Sequence, residues 1–161
     1  CFGTVINRFC CQAVIGHPLT VFGGGSQIRS FLPLRDSMQC ISLILENPPS
    51  QGEYRVINQF DETYSLNQLA AAVQKTALEY GRNVEIYHYD NPRTEMDKHY
   101  YKPDRNQLIA IGYKPSGSLT NELKLMIRDL AINTERIREK QSALLPIIRW
   151  NGNHRPSNIV N

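Results

Sequence analysis

Two arginines carry the chemistry that this sequence offers most directly. Arg29 follows a glycine triplet, Gly23-Gly24-Gly25, and Arg93 follows Pro92 just after an apolar run. A guanidinium is always charged and presents a planar fork of donors that matches two phosphate oxygens at once. Glycines beside it let a ligand come close to backbone. By composition alone each arginine reads as an ordinary surface residue, because most charged side chains are solvated. The triplet lacks the G-x-G-x-x-G spacing and no helix start follows it, so it reads as a plain turn rather than a phosphate loop.

Other chemistries find little support. His17, His88, His99 and His154 share no metal-ligand spacing. Cys10 and Cys11 are adjacent, Cys40 is distant, and no C-x-x-C occurs, which fits reduced thiols in an intracellular core. No tyrosine has a lysine four residues on, and no G-x-S-x-G nucleophile turn is present. Asp36 reads as a helix cap rather than an acid or base. The net charge of +3 is spread along the 161 residues without a basic run, so nucleic-acid binding gains nothing from it. No 18-residue apolar stretch could span a bilayer. Residue 1 is Cys, so we expect the true amino terminus to lie upstream.

The elements that must position these residues follow from period and punctuation. Thr4–Ile15 has helical spacing at Ile6, Phe9, Cys10 and Ala13, with Gly16 as its stop. Leu19–Phe22 reads as a strand, and residues 28–34 as a second extended run that makes a hairpin-like pair with it. Asp36 opens the next helix by the capping-box rule, with Gln39 three residues on and Cys40, Ile41, Ile44 and Leu45 as its apolar face. Glu53–Phe60 reads as a strand through Tyr54, Val56 and Ile57. Ser65 and Gln68 form a second capping box, with Tyr64 and Leu69 placed as a staple. That helix runs through Val73 and Ala77 to Gly81. Val84–Tyr89 is another strand, Asp104 starts a short helix ending at Gly112, and Ser118 starts the last one. Strands alternating with helices over residues 53–112 imply βα crossovers and an α/β fold. Two strands do not make a stable doubly wound sheet, so the chain dimerises or is the end of something longer. Bottom-up reasoning reaches a ligand-binding part of an α/β protein.

The run from Gly16 to Asp36 resembles the substrate-domain signature of extended short-chain dehydrogenases, the nucleotide-sugar epimerases and dehydratases. Thr4-Val-Ile-Asn-Arg-Phe-Cys10, Gly16-His-Pro-Leu-Thr-Val21, Arg35-Asp36, Val56-x-Asn58-Gln-Phe60 and Asn91-Pro-Arg93 with His99-Tyr-Tyr101 narrow the resemblance to the UDP-sulfoquinovose synthase family. It extends over residues 2–150. The resemblance implies the carboxy-terminal, substrate-binding portion of a two-domain enzyme, with the last strands and helices of a Rossmann-like sheet. Residues 1–150 would form that portion and residues 151–161 a frayed polar tail. The NAD motif and the catalytic Thr, Tyr and Lys would lie in the absent amino-terminal half. This chain would contribute no catalytic residue and would be inactive alone. In such enzymes NAD oxidises C4 of the glucose in UDP-glucose, water leaves across C5–C6, sulfite adds at C6, and the hydride returns.

Carried over residue by residue, Arg29 and Arg93 would grip the diphosphate and Gln27 a ribose or phosphate. Thr20, Val21 and Phe22 would lie beside the uracil, and Thr4 and Val5 near the phosphates. Met96 stands where many relatives have an acid, so Glu95 would have to meet the ribose. Leu34 replaces a common Val or Ile, and Arg35 suits the sulfolipid enzymes. The resemblance further implies a homodimer in full-length form and a soluble intracellular setting, chloroplast stroma or bacterial cytoplasm. Another NAD-dependent nucleotide-sugar epimerase or dehydratase, and a non-catalytic binding module, stand as alternatives.

Overall fold

The computed structural model describes residues 4–91 and 103–145. The first helix, α1, spans Val5–Ile15. Gly16 takes the left-handed conformation, φ 75°, that a Cβ would disfavour, and this lets its N–H reach Ala13 O while His17 N–H reaches Gln12 O. Six consecutive residues of α1, Phe9 to Val14, are buried. A helix buried on every side must be enclosed. The enclosing elements are α3 (Leu66–Glu79), α5 (Leu119–Ala131), α6 (Thr134–Glu139) and strand β1 (Leu19–Phe22).

β1 pairs in parallel with β4 (Ile86–Tyr89), from Leu19↔Ile86 to Phe22↔Tyr89. β2 (Ile28–Phe31) pairs antiparallel with β3 (Glu62–Ser65). The large core joins Phe9, Val14, Leu19, Val21, Leu69, Val73, Leu123 and Ile127. Leu119, Met126 and Leu130 of α5 pack on it. A smaller core holds Cys40, Leu108 and Tyr113, flanked by Leu32, Leu43, Ile57 and Ile111. It lies between α2 (Leu34–Glu46) and the short α4 (Asn106–Ala110). Cys10, Cys11 and Cys40 are free and buried, and burial pushes the Cys10 thiol up to about 12.

Several expectations are corrected. β1 and β2 do not form a hairpin; each pairs with a distant strand. β3 and β4 flank α3 but join different sheets, so no crossover unites them. Residues 53–60 form no strand among the described residues. They have strand-forming side chains but, among the described residues, no strand to pair with. α2 begins two residues before Asp36, with Pro33 at its N-cap and no side-chain cap bond. Pro33 holds the extended backbone of the cap position by itself. On the predicted apolar face of α2, Cys40 is buried while Ile41 and Leu45 are exposed. α4 starts at Asn106, and Asp104 Oδ1 accepts from its N–H at 2.8 Å. α5 is not the last helix, since α6 and a 3-10 turn at Gln141–Ala143 follow. Only Ile137 of α6 is buried, too little to show a period in the sequence.

Candidate functional site

The parallel register of β1 and β4 finishes both strands at one edge, with Phe22 beside Tyr89. Ligands of open α/β sheets lie outside such carboxyl ends. Gly23 N–H donates to Tyr89 O at 2.7 Å, and His88 Nδ1 hydrogen-bonds to Gly23 O at 2.8 Å. A Cβ on Gly23 would stand 3.5 Å from Asn91 Cβ, so the chain leaving β4 passes against the glycine turn. The turn after β1 and the exit from β4 therefore share one site.

The amino end of α3 fixes this turn. Ser65 caps α3 by accepting from Gln68 N–H at 3.2 Å while Gln68 Oε1 accepts from Ser65 N–H at 2.9 Å, as the capping box predicted. The first helical amides reach across to the turn: Leu66 N–H donates to Gln27 O at 3.2 Å and Asn67 N–H to Gly25 O at 3.0 Å. Asn67 Nδ2 adds a bond to Gly24 O at 2.9 Å. Gly25 has φ +70°, and a Cβ there would lie 1.9 Å from Asn67 Oδ1 and 2.8 Å from Val21 Cγ1. Only glycine fits.

The predicted residues fall into distinct settings. Gln27 is half-buried; its Nε2 donates to Phe22 O at 3.2 Å, and its buried Oε1 has no partner among the described residues. Arg29 is exposed on β2, opposite Tyr64 in register, with Nη1 donating to Ile28 O at 2.8 Å. Burial and the neighbouring Glu62 push the Tyr64 hydroxyl up to about 12. Phe22 is half-buried, edge-on to Tyr89 at 6.4 Å. Thr20 is fully buried: its N–H donates to Gln12 Oε1 at 3.1 Å, and its Oγ1 accepts from Gln12 Nε2 at 2.8 Å. Val21 belongs to the large core. Thr4 is the exposed N-cap of α1 without a side-chain cap bond, and Val5 is the half-buried first helical residue. Arg93 and Glu95 lie outside the described residues, as does the polar tail.

Sequence reasoning missed Arg8. Its guanidinium lies 4.8 Å from the Phe22 ring centre and 5.5 Å from that of Phe9, and Nη2 donates to Thr20 O at 2.9 Å. Burial lowers its pKa, and Nε is buried without a partner among the described residues. Stacked cation–π contacts of this kind, partly desolvated, are worth about 1–2 kcal/mol. The signal available was a basic residue one position before Phe9 on the helix buried at the centre. Asn67 and His88 were missed too, because their roles depend on contacts across the fold.

Asp36 is not a cap. It is fully buried and accepts from the Tyr113 hydroxyl at 2.9 Å, from Ser116 N–H at 3.2 Å and from Ser116 Oγ. Burial, with Asp36 adding to it, holds the Tyr113 hydroxyl far above its ordinary range. These bonds tie α2 to the segment after α4.

Among the described residues no group of His, Cys, Asp and Glu could hold a metal ion, and no helix is long and apolar enough to cross a membrane. The glycine turn leads into strand β2 rather than a helix, so it does not fit a dinucleotide pyrophosphate.

Residues 3–58 match the NAD dependent epimerase/dehydratase family. The chain is 48% identical over 149 residues to UDP-sulfoquinovose synthase of Sulfolobus acidocaldarius, covering 92% of this chain and 38% of that protein. It is 43% identical over 150 residues to the chloroplastic UDP-sulfoquinovose synthase of Spinacia oleracea, covering 92% of this chain and 30% of that one. The chain thus spans about a third of the length of these relatives. Its fold is similar to that of UDP-glucose 4-epimerase from Thermotoga maritima, solved with UDP-glucose, with a TM-score of 0.66 and 20% identity over 83% of this chain and 40% of that one.

Proposed function

We propose that this chain, whose residues 3–58 match the NAD dependent epimerase/dehydratase family, is the UDP-glucose-binding, carboxy-terminal part of a UDP-sulfoquinovose synthase. The observation that carries this reading is the identity of 48% and 43% to two such synthases across 92% of the chain. The shared edge at Phe22 and Tyr89 supports a ligand at that end of β1 and β4.

In this reading Arg29 and Arg93 hold the diphosphate, each through a charge-assisted fork. The Oε1 of Gln27, without a partner among the described residues, accepts from a ribose hydroxyl. Phe22 meets the uracil, held in place from behind by Arg8. Thr20 and Val21 fix the strand from the core side, because Gln12 already occupies the Thr20 side chain. Thr4 and Val5 bring the free amides of the first turn of α1 toward the phosphates, and Glu95 meets the ribose. NAD, bound by the preceding portion, supplies the hydride acceptor for C4 of the sugar. Sulfite is the second substrate, the full-length protein is a homodimer, and its compartment is the chloroplast stroma or a bacterial cytoplasm.

The deciding assay incubates the full-length protein with UDP-glucose and sulfite. Sulfite-dependent UDP-sulfoquinovose is expected from it and none from the 161-residue chain alone. UDP-galactose formed without regard to sulfite would point to an epimerase instead, and product from this chain alone would overturn the division of labour. In the full-length protein, Arg29→Ala weakens UDP-glucose binding by about 1.5–3 kcal/mol, the cost of a lost hydrogen bond to a charged group. Calorimetry showing unchanged affinity in a folded variant would remove Arg29 from the site.

A further inference from the structure

Arg8 carries a charge that nothing among the described residues answers. Its Nη2 donates to a carbonyl, Thr20 O, at 2.9 Å, and its guanidinium lies against the rings of Phe22 and Phe9. The ion pairs among the described residues leave it out. Nε is enclosed and unbonded, while Nη1 is unbonded among those residues but not enclosed. Burial lowers the pKa of this cation, so withdrawing it from water has cost free energy that one carbonyl and two rings return only in part.

Its place on α1 deepens the imbalance. Arg8 N–H donates to Thr4 O at 3.2 Å, which closes the first turn of the helix. Four residues after Thr4, Arg8 stands on the same face, and helical side chains lean toward the amino end. That end has free N–H groups and carries about half a positive charge. An acid or a capping oxygen commonly meets it, yet α1 has no acidic residue in its first turn and Thr4 makes no side-chain cap bond. A guanidinium there sets like charge beside like. Two positive features without a negative one among the described residues mark a place for an incoming anion.

We propose that Arg8 binds an anion directly, its open Nη1 donating to a phosphate oxygen of the nucleotide. This role goes beyond bracing Phe22. A nucleotide joins a flat ring to its phosphate through one sugar, so a base on Phe22 brings its anion to the neighbourhood of Arg8, 4.8 Å from that ring. With Nη2 committed to Thr20 O and Nε enclosed, the guanidinium offers one charge-assisted bond rather than a two-pronged fork. The assignment rests on the reading above that a UDP-sugar is the ligand.

Calorimetry on the full-length protein with uridine and with UDP tests it, using Arg8→Met, which keeps the apolar stem and removes the charge. UDP should bind about 10- to 100-fold more weakly to the variant, as for a lost hydrogen bond to a charged group, while uridine affinity stays within about 2-fold. A parallel loss for uridine would show that Arg8 acts only through Phe22 and would overturn the proposal, as would unchanged UDP affinity. Arg8→Gln can still donate to Thr20 O and repeats the comparison where the methionine variant fails to fold; the same selective loss is expected of it. In the synthase assay the KM for sulfite should not move. A higher KM for sulfite with UDP affinity unchanged would give the anion to the second substrate and also overturn the proposal. Wild-type protein that fails to bind UDP would sink the reading of the ligand itself, whereas UDP bound equally by wild type and variant sinks only the assignment of Arg8.

Discussion

Around α1 the apolar side chains close on themselves: Phe9, Leu69, Leu123 and Ile127 are fully buried by elements of this same chain. Around Cys40 the buried cluster among the described residues adds Leu108 and Tyr113, and a buried carboxylate, Asp36, sits at that core. The first region draws its stability from area, and polar bonds such as Gln12 to Thr20 only satisfy groups that burial has stripped of water. The second has too little area and depends on directional bonds from Tyr113 and Ser116 to one carboxylate. The difference teaches where the chain is self-sufficient. Its large core needs nothing further, whereas α2, which roofs the small core, still presents an apolar back.

The comparison breaks if the large core tolerates truncation. Phe9→Ala, at a site with no exposure, should cost about 3–5 kcal/mol in chemical denaturation of the chain. A loss under 1 kcal/mol would mean that this core is looser than it looks. The next effect probes the small core. Asp36→Ala leaves the Tyr113 hydroxyl and Ser116 without their acceptor and should cost about 1.5–3 kcal/mol. Combining it with Tyr113→Phe should cost less than the two losses added, and strict additivity in that double-mutant cycle would deny the network. Ser65→Ala removes the cap of α3 and should cost about 1 kcal/mol, seen also as faster amide exchange in the first turn of that helix. Smallest is Leu45→Ser on the exposed side of α2. It should shift the stability of this chain by no more than about 0.5 kcal/mol, because the side chain is already in water. A larger loss would show that this side is covered within this chain.

Local features were legible in the sequence and pairings were not. The ends of α1 and α3 followed from Gly16, Ser65, Gln68 and Gly81, because caps and left-handed glycines act within a turn of their own position. Leu19–Phe22 was read at its observed bounds for a similar reason: its β-forming residues are bracketed by Pro18 and Gly23. Which strand would pair with which was not readable, since Ile28 meets Ser65 through contacts 37 positions apart that no window contains (65 − 28). Asp36 obeyed the capping-box pattern yet serves a hydroxyl 77 residues on, an acceptor chosen by the tertiary fold over a local rule. At the candidate site, Arg29 was singled out by its neighbourhood to glycines, and Gln27 only through the resemblance. Arg8 and Asn67 were missed because what they hold, Thr20 O and Gly24 O, is reached only after folding.

The bonds between α3 and the glycine turn have a consequence for timing. The carbonyls of Gly25 and Gln27 accept from the first amides of α3, which have no partner within the helix, so opening the turn would strip those amides of their bonds. Its backbone entropy is therefore surrendered during folding, before any guest arrives. A molecule settling at the ends of β1 and β4 meets a rim that is already set, and its association is spared the cost of ordering that rim.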